Sequence, residues 1–193
     1  MNPLALMNSP MRRSLTQETQ PSSGFTLLEI LTVLLIVGIL VIISATTWLS
    51  FLNTLRLNAA QDQVYQVMRL AQSKAKQERR RWQASFQATH QHVQWEIHPV
   101  AIISGSDRGE LNWSSLTGWV TIDPNETTLY RSSDDIYRVQ FNHHGHVNGR
   151  LGRLTLAGLN PHKARRCVFV STLIGTLRKA RDRPRPRNGR YCY

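Results

Sequence analysis

A chain of 193 residues carries 24 lysines and arginines against 12 acids, a formal charge of +12. That excess points to a polyanionic partner, whether nucleic acid, anionic lipid headgroups or an acidic protein. The two cysteines, Cys167 and Cys192, lack a CxxC spacing, and no Gly-x-Ser-x-Gly, P-loop or Rossmann glycine pattern occurs, which argues against a cysteine-built metal or redox centre and against an enzyme.

In chain order, residues 1–24 hold the basic pair Arg12 and Arg13 but no apolar core of the kind a secretory signal peptide needs. The apolar run begins only at Phe25, and from there to Leu52 the one ionisable side chain is Glu29. As a helix rising about 1.5 Å per residue, such a run is long enough to cross a bilayer. A carboxylate near the start of that run costs at least a few kcal/mol if it faces lipid. An amine would offset the cost, and cutting the chain after Gly24 would create one at Phe25. The helix is expected to continue through residues 53–81, where Leu55, Ala59, Val64, Val67, Met68 and Ala71 follow an approximately helical pattern without Gly or Pro. Gln77-Glu78-Arg79-Arg80-Arg81 closes it with the positive charge that suits a helix C-terminus.

The period then changes. Val93, Trp95 and Ile97 alternate with polar residues as a half-buried strand does, and further strands are expected at 117–122, 127–131, 136–141, 151–157 and 166–173. Turn signals separate them at Ser104-Gly105-Ser106-Asp107, Asp123-Pro124-Asn125, Gly145 and Asn160-Pro161. Trp82, Trp95, Trp113 and Trp119 are expected in the core or at an interface. His143, His144 and His146 cluster around the turn signal Gly145, and His90 with His92 lie near an earlier strand; metal ligation by them is not expected. The last segment is the most basic: Lys163, Arg165, Arg166, Arg178, Lys179, Arg181, Arg183, Arg185, Arg187 and Arg190 stand against Asp182 alone in residues 162–193.

Gly24, Phe25 and Glu29 resemble the processing site of type IV prepilins and type II secretion pseudopilins. The family has Gly before the cut, Phe as the first mature residue and Glu four residues later. The resemblance implies cleavage between Gly24 and Phe25 by a prepilin peptidase, N-methylation of Phe25, and assembly with other pilins or pseudopilins, with Glu29 meeting the amine of a neighbour. With Arg12 and Arg13 kept cytoplasmic by the positive-inside rule, the prepilin would be a single-pass inner-membrane protein. Its C-terminal domain would be periplasmic before entering a pilus or pseudopilus.

The expected fold is α+β and pilin-like, a long N-terminal helix, half transmembrane, packed against a small antiparallel β-rich domain. The divisions are a leader at 1–24, a transmembrane and assembly helix at 25–52, its amphipathic continuation at 53–81, a β-rich domain at 82–175 and a basic tail at 176–193. In that oxidising compartment Cys167 and Cys192 are candidates for a disulfide, worth roughly 3 kcal/mol in the chain-entropy picture.

The stretch from Val139-Gln140-Phe141 through Gly145, Gly152-Arg153-Leu154, Arg166-Cys167-Val168-Phe169-Val170 and Gly175-Thr176-Leu177-Arg178 is similar to the GspH/FimT family of minor pilins and pseudopilins. Some FimT-like members bind DNA through arginines in and after a Gly-Arg-x-Arg element. Here Thr176 replaces the first of those arginines and Arg178 stands at the second. The resemblance implies that Arg178, Lys179, Arg181, Arg183, Arg185, Arg187 and Arg190 bind double-stranded DNA without sequence preference during natural transformation. The Arg-Pro alternation favours an extended backbone with arginines ~6 Å apart, and Tyr191 and Tyr193 are candidates to stack on bases. Other readings of the tail are a solvated disordered segment, or a ligand for anionic lipid or an acidic subunit. The alternative for the whole chain is a structural GspH-like pseudopilin that primes or caps a type II secretion pseudopilus. No cofactor is expected.

Overall fold

A computed structural model describes residues 24–89, 92–100, 112–132, 134–158 and 164–193. Most of the leader, His90 and the turns expected at 104–107 and 160–161 lie outside the described residues. The chain forms two compact units, Met1–Ser44 and Ala45–Tyr193.

One helix, α1 (Leu27–Gln77), runs through both units. Its N-terminal part is apolar and exposed, and it is long and apolar enough to cross a membrane. Further along, Leu57, Ala60, Val64, Val67, Met68, Ala71 and Ala75 make a buried stripe at three- and four-residue spacing. Leu55 and Ala59, expected on that stripe, are exposed instead. Leu55 precedes Val64 by about two and a half turns, which puts it on the opposite face, and Leu57 and Ala60 take the buried places. The helix stops at Gln77, short of the expected residue 81, where Arg79 turns left-handed with φ 50°.

Among the described residues ten strands follow: β1 (Trp82–Ala88), β2 (Val93–Pro99), β3 (Ser114–Ser115), β4 (Val120–Ile122), β5 (Tyr130–Arg131), β6 (Ile136–Phe141), β7 (Gly152–Gly158), β8 (Arg165–Val170), β9 (Leu177–Arg187) and β10 (Arg190–Cys192). They build two five-stranded antiparallel sheets, ordered β3-β2-β1-β6-β5 and β10-β9-β8-β7-β4. Trp82, Ala84, Phe86, Tyr137, Val139 and Phe141 from the first sheet share one core with Leu154, Leu156, Val168 and Val170 from the second and with the stripe on α1. Part of the far side of the first sheet is buried too. There Gln83 and Ser85 are buried with His98, and Gln83 Oε1 accepts from Gln140 Nε2 at 2.8 Å.

The strand expected at 127–131 shortens to β5, because residues before it bond to the other sheet. Thr128 N–H donates to the Arg153 carbonyl at 2.9 Å, and Arg153 N–H donates to Thr128 Oγ1 at 3.0 Å. The larger correction concerns the C-terminus. Residues 177–192 are not a tail beside the domain but the last two strands of the second sheet. Gly175, at φ 83°, starts them under α1, and its carbonyl accepts from Gln72 Nε2 at 3.1 Å. A side chain at that glycine would collide with Gln72 and the Gly145 carbonyl.

Candidate nucleic-acid interface

Two places carry the residues singled out above. At the first, Gly24 and Phe25 precede the helix, and a Cβ at Gly24 would meet nothing within 4 Å. Thr26 caps α1. Its Oγ1 accepts the Glu29 N–H at 3.2 Å and its carbonyl accepts the Ile30 N–H at 3.2 Å. Thr26 and Glu29 have the spacing of a capping box, and an acid in the first turn complements the helix dipole. Glu29 thus has a local reason to stand where it does. The dipeptide Gly24-Phe25 lies open ahead of a helix that begins abruptly.

The second place is the β9–β10 hairpin. β9 pairs with β8 from Val170↔Leu177 to Arg166↔Arg181, so alternate side chains point to opposite faces. On the face toward α1, Lys179 Nζ meets Asp62 Oδ1 at 2.8 Å and lies 5.0 Å from the Tyr65 ring centre. Gln61 Nε2 donates to the carbonyls of Cys167 and Ala180, both at 2.8 Å, tying α1 to this part of the sheet. Arg166 donates to Asn58 Oδ1 at 2.7 Å and to Asp182 Oδ1 at 3.3 Å. Burial lowers the pKa of Arg166, the Asp182 carboxylate opposes that shift, and Arg181 adds to it. On the other face Arg178 sits 4.8 Å from the Phe169 ring centre.

Past Arg181 the strand outruns β8. Asp182 stands opposite Cys192 and Arg187 opposite Arg190, with a register shift between. Arg183-Pro184-Arg185-Pro186 therefore face Tyr191 alone and bulge out of the ladder. The prolines explain the bulge, since neither has an N–H to donate. Asn188 and Gly189, at φ 52° and 72°, close the hairpin as a two-residue turn of the type that favours Asn-Gly. Arg178, Arg181, Arg183, Arg185, Arg187 and Arg190 are all exposed, and among the described residues none has a carboxylate within ion-pair distance.

The hairpin is fastened from behind. Cys192 is joined to Cys167 of β8 by a disulfide, with the Cα atoms 6.4 Å apart. Arg153 of β7, 4% exposed, meets Glu126 Oε2 at 2.8 Å, donates to the Glu126 carbonyl at 2.6 Å and donates to the Cys192 carbonyl. Glu126 Oε1 accepts the Tyr191 N–H at 2.9 Å. Burial lowers the pKa of Arg153, Glu126 opposes that shift, and Arg190 adds to it. Neither Arg153 nor Glu126 is conspicuous in the sequence, because each is an ordinary charged residue between turn and strand. Their roles depend on partners far along the chain.

Tyr191 and Tyr193, the candidates for base stacking, each carry an arginine over the ring. Arg165, held by Asp123 at 2.8 Å, covers the Tyr191 ring at 4.9 Å. Arg183 covers Tyr193 at 5.0 Å, and the Tyr193 hydroxyl donates to the Arg185 carbonyl at 3.2 Å. Each ring already stacks on a cation. His143, His144 and His146 cluster, with ring centres 3.9 Å and 5.7 Å apart in succession, and among the described residues no group of three His, Cys, Asp or Glu side chains could hold a metal.

Residues 20–45 match the prokaryotic N-terminal methylation motif. No curated protein is similar enough in sequence to count as a match. Two crystal structures of the type IV minor pilin FimU of Pseudomonas aeruginosa strain PAO1 are similar at 16% identity. In space group P21 the match covers 66% of this chain and 90% of that one at a TM-score of 0.46. In space group P65 it covers 64% and 91% at 0.44. The motif and the apolar helix together support membrane anchoring.

Proposed function

We propose that this chain is a minor type IV pilin that captures double-stranded DNA on its C-terminal hairpin for uptake. The methylation motif supports the pilin half of this reading, with Gly24–Phe25 the bond cut, Phe25 the residue methylated and Glu29 the assembly carboxylate. One observation carries the DNA half. Among the described residues the exposed arginines of the hairpin have no carboxylate partners, whereas Arg153, Arg165 and Arg166 behind them do. Lys179, bound to Asp62, belongs with the second group. Of the seven basic residues first singled out, the bulge and turn thus bring forward Arg183, Arg185, Arg187 and Arg190.

Guanidinium groups without counter-ions suit phosphate oxygens, which they can bind in bidentate fashion. With one arginine over each tyrosine ring, the surface offers chiefly charge. Recognition is then of the backbone and independent of sequence. The domain would be periplasmic before assembly.

The test is a titration of the full-length chain, in a neutral detergent, with a short DNA duplex. Between about 50 mM and 200 mM salt, four phosphate contacts predict a roughly hundredfold loss of affinity. Replacing Arg183, Arg185, Arg187 and Arg190 with Ala should weaken binding equally for unrelated duplexes and flatten the salt dependence. Weak binding that the substitutions leave unchanged would remove DNA from the reading. A structural minor pseudopilin would then be the better description.

A further inference from the structure

The hairpin has an intrinsic problem. Arg187 and Arg190 stand directly opposite each other beside the turn, and the bulge adds Arg183 and Arg185 to the same end. Like charges across a strand pair push it apart. With Pro184 and Pro186 in the bulge, few ladder hydrogen bonds resist that push. β10 supplies only three residues, too few to hold a free ribbon together.

What holds it lies in the layer behind. All three fastenings act on β10, not on β9. The Cys192 sulfur bonds to Cys167, the Cys192 carbonyl accepts from Arg153, and the Tyr191 N–H donates to Glu126 Oε1. The carboxylate of Glu126 joins two of them, taking Arg153 on one oxygen and Tyr191 on the other. Both charged side chains are about 5% exposed, so little solvent screens the pair. Thr155 Oγ1 also donates to the Glu126 carbonyl at 3.2 Å, fixing the backbone on which the acid stands.

We propose that Glu126 and Arg153 are positioning residues for the polyanion surface, a buried clamp that holds β10 against the repulsion of its own arginines and so keeps the bulge presented in one geometry. The inference rests on the DNA reading above and deepens it. Neither side chain touches the ligand. Their contribution is preorganisation, which raises affinity by sparing the hairpin the cost of ordering when phosphate binds.

The test compares the oxidised wild-type chain with Glu126→Gln, in the same detergent and over a series of salt concentrations starting low. Duplex affinity is read alongside hydrogen exchange of the Tyr191 amide. The amide of glutamine can still accept from Tyr191 but leaves Arg153 without a counter-charge, so exchange should speed up and affinity should fall about three- to tenfold. The salt slope should stay the same, because every phosphate-contacting arginine remains. A role in overall stability alone would lower the melting temperature and leave affinity unmoved at temperatures where both proteins are folded. Should Glu126→Gln fail to fold, the charge-neutral pair Glu126→Gln with Arg153→Met takes its place. Reduction of the Cys167–Cys192 bond in the wild type then supplies a second way to loosen β10. Unchanged affinity despite faster exchange at Tyr191 would overturn the clamp, and so would unchanged exchange. A wild-type chain that does not bind DNA would instead overturn the reading on which the clamp rests.

Discussion

The apolar half of α1 and the arginine hairpin are both exposed along most of their length, yet they are kept in shape by opposite means. The helix satisfies its backbone within itself, four residues at a time, and Thr26 caps its start from three residues away. The hairpin depends on residues 25, 39 and 65 positions away, at Cys167, Arg153 and Glu126. One surface is ordered locally and expects its partner in an apolar phase. The other is ordered from a distance and expects its partner in charged form. A single substitution should therefore spare the fold at the first and disturb the presentation of the second.

The largest expected effect lies at the helix start. Gly24→Val has room, since nothing lies within 4 Å of the new Cβ, so the chain should fold normally. Processing should nonetheless stop, leaving the full-length mass in membranes of a host that has the peptidase. Glu29→Ala should still be cut but should not enter filaments. A Gly24→Val protein cut at the normal rate would sink the assignment of the processing bond.

A smaller effect separates free from engaged cations within the hairpin. Arg185→Ala and Lys179→Ala each remove one positive charge. Arg185→Ala should reduce the salt slope of duplex binding by about one, as loss of one phosphate contact does. Lys179→Ala should do less, because its ammonium already meets Asp62. Equal slopes for the two variants would erase the distinction between partnered and unpartnered basic groups.

The smallest concerns Glu96 in the first sheet. Burial raises its pKa, opposed by His98 and by the Asn112 N–H, and Glu96 Oε2 has no hydrogen-bond partner among the described residues. A carboxyl whose pKa is higher folded than unfolded holds its proton longer in the native state. Its contribution to stability therefore falls as pH rises from the ordinary carboxylate range through the raised value. Denaturation followed by tryptophan fluorescence between about pH 4 and pH 7 should show that decline in the wild type, and Glu96→Gln should remove it. A decline of the same size in both proteins would assign it to another group.

The same contrast explains what the sequence disclosed. The long helix was legible because its apolar run and periodicity are local, although its Thr26 cap was not read. β2, β6, β7 and β8 lie close to the expected strands, since alternating or continuous apolar runs mark them. β1 was missed. Trp82, Ala84 and Phe86 alternate with Gln83 and Ser85, but Ala84 is a weak apolar signal and the polar face is buried as well. β9 and β10 were missed although Asn188-Gly189 is a recognisable hairpin turn. The Arg-Pro alternation before it argued for a free extended segment and hid the signal. Glu126 and Arg153 had no local signature, because their meaning depends on the return of the chain at Tyr191 and Cys192.

One further consequence belongs to Pro184 and Pro186. An exposed edge strand is an open template on which a second chain can add itself, and a filament would crowd many such edges together. Here the outer strand β10 is only three residues long, and the bulge of β9 beside it alternates positions that cannot donate a hydrogen bond with positions that repel a copy of themselves. Copies of this chain concentrated side by side can therefore remain separate folded bodies, protected from runaway strand exchange by the same hairpin that presents their charge.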